Sequence, residues 1–167
     1  EVIMPTPCWV SYVEMVKIAE GKSVLVKTTM ENNFCLTAEQ LEVAITPQTK
    51  LLMLCSPNNP TGSVYSYENL KAIVEVLKRH PQVNVLADEI YQHILYTGKH
   101  ETLAQFPELE DRLIIINGVS KAYAMTGYRI GWLACHDKDF ITAVKRLQGQ
   151  TISCATTIAQ KAAEAAY

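Results

Sequence analysis

The sequence predicts a three-layer α/β/α fold, in which helices cover both faces of a mostly parallel central sheet. Short runs of β-branched and apolar residues alternate along the chain with longer segments that carry apolar residues three or four positions apart. Most of the short runs are apolar throughout, which is typical of strands that are covered on both faces. The 167 residues are 49% hydrophobic and 19% charged, which suits a single domain with a sizeable core.

Six runs are candidate strands. In chain order they cover residues 2–4, 23–28, 50–55, 83–87, 113–117 and 130–135. Two helices are predicted from their N-caps: Thr37 is followed three residues later by Gln40, and Ser66 begins a segment with an apolar face. That face contains Leu70, Ile73, Val74 and Leu77. Two further helices are predicted over residues 138–147 and over the alanine-rich stretch 156–167.

Composition and charge exclude several classes of function. The net charge of -2 and the absence of a dense Lys/Arg run argue against nucleic-acid binding, and no segment approaches the length of a membrane span. The five cysteines are odd in number, scattered, and without the spacing of metal ligands. They are Cys8, Cys35, Cys55, Cys135 and Cys154. We expect reduced thiols, no metal site and a cytoplasmic location.

Polar residues follow three of the predicted strands at the point where each strand ends. Asn59 comes after residues 50–55, Asp88 closes the run 83–87, and Lys121 follows residues 113–117. Open α/β sheets bind their ligands at the carboxyl ends of the strands. We therefore expect these three side chains to converge at one edge of the sheet.

The residue types at that edge match the needs of pyridoxal phosphate. This cofactor requires a lysine for its aldehyde, an acid for its ring nitrogen, donors for its phenolic oxygen and a cation for its phosphate. Lys121, Asp88, the pair Asn59 and Tyr91, and Arg129 supply these groups in turn. The sequence therefore predicts a pyridoxal 5'-phosphate site.

Three segments also carry a family resemblance. They read S-P-N-N-P-T-G at residues 56–62, D-E-I-Y at 88–91 and S-K-A-Y-A-M-T-G-Y-R-I-G at 120–131, with Lys121 and Arg129 eight residues apart. In order and spacing they resemble the class I/II pyridoxal-phosphate-dependent aminotransferases, the aspartate aminotransferase group of fold type I. The resemblance covers essentially the whole chain, which corresponds to the large, cofactor-binding domain.

The resemblance implies a role for each residue. Lys121 corresponds to the Schiff-base lysine, which also moves the proton at the substrate Cα. Asp88, as a buried carboxylate, corresponds to the acid that pairs with the pyridinium nitrogen. Asn59 and Tyr91 correspond to the donors to the phenolic oxygen, and Arg129 to the arginine that holds the phosphate.

Two other segments have counterparts in the family. The resemblance places Trp9, in the run P-T-P-C-W, over the face of the pyridine ring; the alternative is a tryptophan that only fills the core. It also makes Thr6-Pro7 and Asn59-Pro60 candidate cis bonds. Many relatives carry a phosphate-binding serine where this chain has Gly118, so the backbone N–H of Gly118 and the side chain of Ser120 are alternative donors.

The resemblance also indicates parts with no match in these residues. The family has an upstream glycine-rich segment and a first strand, and a carboxyl-terminal small domain with the arginine that binds the substrate carboxylate. Both ends of the sequence lie inside predicted elements, so we expect residues 1–167 to be a fragment that is inactive alone. We expect the intact protein to be a homodimer.

The expected reaction is transamination between an L-amino acid and a 2-oxo acid, with aspartate or aromatic substrates favoured by the run at residues 117–127. Two alternatives stay open. One is a carbon-sulfur β-lyase on the same scaffold, although such relatives often have histidine in place of Tyr91. The other is the cofactor-binding sensor domain of a transcription regulator, which would carry a DNA-binding domain before Glu1.

Overall fold

The computed structural model describes residues 1–167 and contains six strands and five α-helices. The strands are Val2–Thr6 (β1), Ser23–Lys27 (β2), Leu51–Cys55 (β3), Asn84–Asp88 (β4), Leu113–Gly118 (β5) and Gly131–Cys135 (β6). The helices are Val10–Ile18 (α1), Ala38–Ala44 (α2), Tyr67–Arg79 (α3), Lys138–Thr151 (α4) and Thr157–Ala166 (α5). All six predicted strands are confirmed, with small shifts at their ends.

The predicted N-caps are present at both helices. The side chain of Thr37 accepts a hydrogen bond from the backbone N–H of Gln40, and Ser66 does the same for Asn69. In each case the third residue returns a hydrogen bond from its side chain, which completes a capping box. Helix α1 was not predicted, because it begins at Val10 after a residue that makes no side-chain cap.

The six strands form one sheet in the order β2-β1-β3-β4-β5-β6. The pairs from β2 to β5 are parallel, and only β6 runs antiparallel to its neighbour β5. The carboxyl ends of β1, β3, β4 and β5 therefore lie at one edge of the sheet. Because β6 is reversed, its first residue lies at that same edge, where Gly131 pairs with Gly118.

Helices lie on both faces of the sheet, but they cover the faces unequally. One face packs against α2 and α3 through a cluster of 19 buried residues, in which Leu41, Leu52 and Ile73 are fully buried. The other face packs against α1 through a cluster of five, which includes Met4 and Tyr12. None of the helices combines the length and the hydropathy of a membrane-spanning segment.

Two strands depart from the expectation of cover on both faces. Most of the side chains of β2 and β6 are partly or largely exposed, including Leu25 at 53% and Trp132 at 40%. Both are edge strands of the sheet, so each has a neighbour on one side only. Apolar content alone predicted them as strands but did not distinguish an edge strand from a central one.

Candidate active site

A cavity of about 310 Å³ opens at the carboxyl edge of the sheet. Every residue that the sequence predicted for the site lines this cavity: Trp9, Asn59, Asp88, Tyr91, Ser120, Lys121 and Arg129. The remaining lining residues are Tyr12, Ile90, Ile116 and Thr126. The structure therefore brings together side chains that come from four separate segments of the chain, residues 9–12, 59, 88–91 and 116–129.

The sheet topology explains this convergence. Asn59 follows β3, Asp88 is the last residue of β4, and Lys121 follows β5, so parallel pairing places all three at the same edge. Arg129 precedes β6, and the antiparallel direction of β6 puts this residue at the same edge as well. The convergence expected from the sequence is confirmed, although the roles of these residues remain predictions.

Asp88 is held from two sides. The phenol of Tyr12 donates a hydrogen bond of 2.6 Å to its Oδ2 atom, and the backbone N–H of Ile90 donates one of 3.1 Å to Oδ1. Asp88 itself is only partly buried, whereas the sequence analysis expected a buried carboxylate. Tyr12 is 6% exposed, and burial, followed by the adjacent charge of Asp88, raises the pKa of its phenol. Tyr12 is therefore a neutral donor to a carboxylate that remains accessible from the cavity.

Lys121 lies beyond the end of β5 and is exposed. Its Nζ atom lies 5.8 Å from the centroid of the Tyr91 ring. The side-chain amide of Asn59 donates to the Tyr91 hydroxyl over a long distance of 3.5 Å. The amine of Lys121 and the side chains of Asn59 and Tyr91 all line the cavity.

Arg129 adopts the left-handed backbone conformation, with φ of 56°. Its Nη1 atom donates a hydrogen bond of 2.7 Å to the carbonyl oxygen of Thr126, which fixes the guanidinium at the cavity wall. Arg129 forms no ion pair with a carboxylate of the chain. Since a guanidinium has five N–H donors, this residue keeps donors for an anionic ligand.

Trp9 does not fill the core. It is 42% exposed and lies edge-on to Tyr12, with the ring centroids 5.5 Å apart and the planes at 85°. The alternative that Trp9 is a core residue is therefore wrong in this structure. Trp9 offers its indole to the cavity, while its edge contact helps to fix the neighbouring phenol.

The expectation that the backbone N–H of Gly118 donates to a phosphate is wrong, because this N–H is already used within the chain. It donates a hydrogen bond of 2.7 Å to the side-chain oxygen of Asn117. A Cβ atom at this position would lie 2.7 Å from the carbonyl oxygen of Ile130 and 2.8 Å from the Cα of Gly131. The absence of a side chain at residue 118 thus permits close pairing of β5 with β6. Ser120 remains the candidate donor, because it lines the cavity.

Sequence reasoning missed two residues that organise the site. Tyr12 lies three positions after Trp9, the N-cap of α1, so prediction of α1 would have placed Tyr12 in the first turn next to the Trp9 segment. Asn58 donates from its side-chain amide to the carbonyl oxygen of Pro7 and to the hydroxyl of Thr61. Both residues act between segments that are distant in sequence.

Three peptide bonds before prolines near the site are cis, two of which were expected. Thr6-Pro7 and Asn59-Pro60 are cis, as the resemblance implied, and Ser56-Pro57 is cis as well. The three bonds lie in the loops that follow β1 and β3.

The whole chain, residues 1–167, matches the family described as aminotransferase class I and II. A probable aspartate/prephenate aminotransferase of Rickettsia bellii is 52% identical over 165 residues, which cover 98% of this chain and 41% of that protein. An aspartate aminotransferase of Geobacillus stearothermophilus is 50% identical over 169 residues, with 100% of this chain and 42% of that protein covered. The chain thus spans about two fifths of the length of these relatives.

Solved structures show the same relationship. The aspartate aminotransferase of Rhizobium meliloti aligns with a TM-score of 0.95 and 48% identity, covering 99% of this chain and 42% of that one. An aromatic aminotransferase of Pyrococcus horikoshii aligns with a TM-score of 0.94 and 36% identity, covering 99% of this chain and 44% of that one. The predicted α/β fold is confirmed by these neighbours.

Proposed function

Because this chain belongs to the class I and II aminotransferases, we propose that it forms the cofactor-binding part of a pyridoxal-phosphate-dependent transaminase. The observation that carries the proposal is the single cavity into which Lys121, Asp88 and Arg129 converge. An amine, a carboxylate and a guanidinium in one cavity are groups that this cofactor requires together.

The donor set fits pyridoxal phosphate in chemistry. Lys121 offers a primary amine for the aldehyde, and Asp88 a carboxylate for the ring nitrogen. Asn59 and Tyr91, which lie 3.5 Å apart, offer neutral donors for the phenolic oxygen. Arg129 and Ser120 offer donors for the phosphate, and Trp9 offers an aromatic face.

When bound, pyridoxal phosphate supplies an aldehyde that takes the substrate's amine and a ring that accepts the electron pair released at Cα. Lys121 would hold the cofactor covalently, and its freed amine would move the proton at the substrate Cα. The carboxylate of Asp88 would keep a proton on the ring nitrogen. Arg129 would bind the phosphate through charge-assisted hydrogen bonds and so fix the position of the ring.

The proposal extends to the reaction and to its partners. Transamination between an L-amino acid and a 2-oxo acid is the reaction we favour, with aspartate or aromatic substrates. The names of the relatives from Rickettsia bellii, Geobacillus stearothermophilus and Pyrococcus horikoshii support this choice. We also propose that residues 1–167 form the large domain of a longer, homodimeric enzyme and contribute no small domain themselves.

The test is covalent labelling of the lysine. The chain is incubated with pyridoxal phosphate and reduced with borohydride, and the modified peptide is located by mass spectrometry. We expect the adduct at Lys121 and its loss in Lys121→Ala, whereas Lys145→Ala is a matched control that removes an exposed lysine of α4. Total labelling that is unchanged in Lys121→Ala, or spread evenly over the lysines, would contradict the proposed role of Lys121.

A further inference from the structure

We propose that Tyr12 is the positioning residue for Asp88: its phenol fixes the orientation of the carboxylate that receives the cofactor's ring nitrogen. The inference rests on the proposed function, since it assigns the ring nitrogen to Asp88. It adds a residue that lies outside the motifs identified in the sequence and is 76 positions away from Asp88.

The geometry of the carboxylate supports this role. Tyr12 donates to Oδ2 over 2.6 Å and the backbone N–H of Ile90 donates to Oδ1 over 3.1 Å, so each oxygen has one donor from the protein. Each carboxylate oxygen can accept a second hydrogen bond, so a ligand donor can still bind Asp88. With both oxygens held, rotation of the carboxylate away from the cavity would break two hydrogen bonds.

The chemistry of the donor also suits the role. A lysine or arginine at this position would neutralise the charge of Asp88, whereas a neutral phenol donates a hydrogen bond without cancelling that charge. Burial of Tyr12, with the nearby charge of Asp88, raises the pKa of the phenol, so the hydroxyl keeps its proton. The negative charge of Asp88 thus remains available for a ring nitrogen.

Tyr12 is itself fixed in place. It belongs to the buried cluster with Met4, Val16, Met53 and Cys55, and its ring also makes an edge contact with the ring of Trp9. Cys55 pairs with Asp88 across β3 and β4, so the strand register brings the cluster next to the carboxylate. The phenol is therefore oriented before any ligand binds, which lowers the cost of ordering the site.

The experiment compares Tyr12→Phe with the matched variant Tyr65→Phe. Tyr65 is 2% exposed and its hydroxyl accepts one hydrogen bond of 2.8 Å from the backbone of Leu36, in the cluster on the opposite face of the sheet. Each variant loses one buried hydroxyl and keeps its ring. The first readout is the amide resonance of Ile90 in the ligand-free chain, and the second is the affinity for pyridoxal phosphate.

We expect the Ile90 resonance to move in Tyr12→Phe, because Oδ1 of Asp88 changes its position, and to stay in place in Tyr65→Phe. The dissociation constant for pyridoxal phosphate should rise about tenfold in Tyr12→Phe, the factor typical of one hydrogen bond to a charged group. In an Asp88→Asn background, Tyr12→Phe should change the dissociation constant by less than about twofold, because the coupled partner is gone.

Three results would overturn the inference. The Ile90 resonance does not move in Tyr12→Phe, or Tyr12→Phe loses no more affinity for pyridoxal phosphate than Tyr65→Phe does. The third is that Tyr12→Phe loses as much affinity in the Asp88→Asn background as it does in the parent chain. A failure of the proposed function would look different. In that case Lys121 would form no adduct in the parent chain, while the Ile90 resonance would still decide whether Tyr12 orients Asp88.

Discussion

The side-chain amide of Asn58 lies 3.1 Å from the carbonyl oxygen of Pro7 and donates a hydrogen bond to it. This contact joins the loop after β1, which leads to Trp9, to the loop after β3, which carries Asn59. The same amide also donates to the hydroxyl of Thr61 over 2.8 Å. The side chain of Asn58 thus links two loops that carry residues of the cavity.

Asn58→Ala should therefore destabilise the chain and loosen the cavity. We expect the free energy of unfolding to fall by about 1 kcal/mol, the usual net value of such hydrogen bonds at a partly exposed position. Asn32→Ala is the control, because Asn32 is exposed and its side chain makes no hydrogen bond. Urea unfolding measures both variants, and equal stability of the two would contradict the linking role of Asn58.

Gly118 and Gly149 form a second matched pair. Alanine at residue 118 would place its Cβ 2.7 Å from the carbonyl oxygen of Ile130, the residue before β6. A Cβ at residue 149 would have no atom within 4 Å. We expect Gly118→Ala to lower the midpoint of thermal unfolding through a cost of about 1–3 kcal/mol. Gly149→Ala, inside α4, should raise the stability by about 0.5–1 kcal/mol. If Gly118→Ala kept the unfolding midpoint of the parent, β5 and β6 could not pair as closely as these distances indicate.

Glu89 is a buried carboxylate that contacts two residues of the segment before β5, Thr102 and His100. It is 6% exposed, accepts a hydrogen bond of 2.6 Å from the hydroxyl of Thr102, and lies 3.3 Å from Nε2 of His100. Thr102→Val removes that donor, together with the hydroxyl that accepts a hydrogen bond from the backbone N–H of Ala104, and leaves a buried carboxylate with fewer partners. We expect a loss of about 2 kcal/mol in the free energy of unfolding.

The control for this prediction is Thr142→Val. Thr142 is exposed on α4, and its hydroxyl donates only to the carbonyl oxygen of Lys138 one turn earlier. A surface change of this kind should shift the stability by less than about 0.5 kcal/mol. If chemical unfolding gave the same loss for both threonines, the contact with Glu89 would not be a stabilising one.

The thiol of Cys55 predicts a pH dependence of stability. Burial, with a contribution from the charge of Asp88, raises the pKa of Cys55 to about 11 from the ordinary value of 9.0. The folded chain then keeps this proton longer than the unfolded chain, so the contribution to stability is complete below pH 9. It is lost as the pH rises from about 9 to 11.

Cys55→Ala should therefore reduce the loss of unfolding free energy at high pH. Between pH 8 and 10.5 we expect the parent to lose about 2 kcal/mol more than the variant, from a shift of two pKa units. Burial also raises the pKa of Cys35 to about 11, so a variant without both thiols should lose even less. Unfolding curves with the same pH dependence in all three chains would disprove this account.

The local features of this protein could be predicted from its sequence. Apolar runs predicted all six strands, and the spacings from Thr37 to Gln40 and from Ser66 to the apolar face predicted two caps that the structure confirms. The order of the motifs was enough to expect Asn59, Asp88 and Lys121 at one edge. Strands and caps depend on residues that are neighbours in the chain, and the common edge follows from the rule that open α/β sheets bind ligands at the carboxyl ends of their strands.

The contacts between distant segments depend on how the strands are arranged in the folded chain. The strand order places β1 beside β3, and this brings α1 and its residue Tyr12 to the carboxylate of Asp88. The reversal of β6 places Arg129 at the cavity and leaves no room for a side chain at Gly118. Such contacts follow from how the strands are arranged in space, and hydrophobic periodicity carries no information about that arrangement.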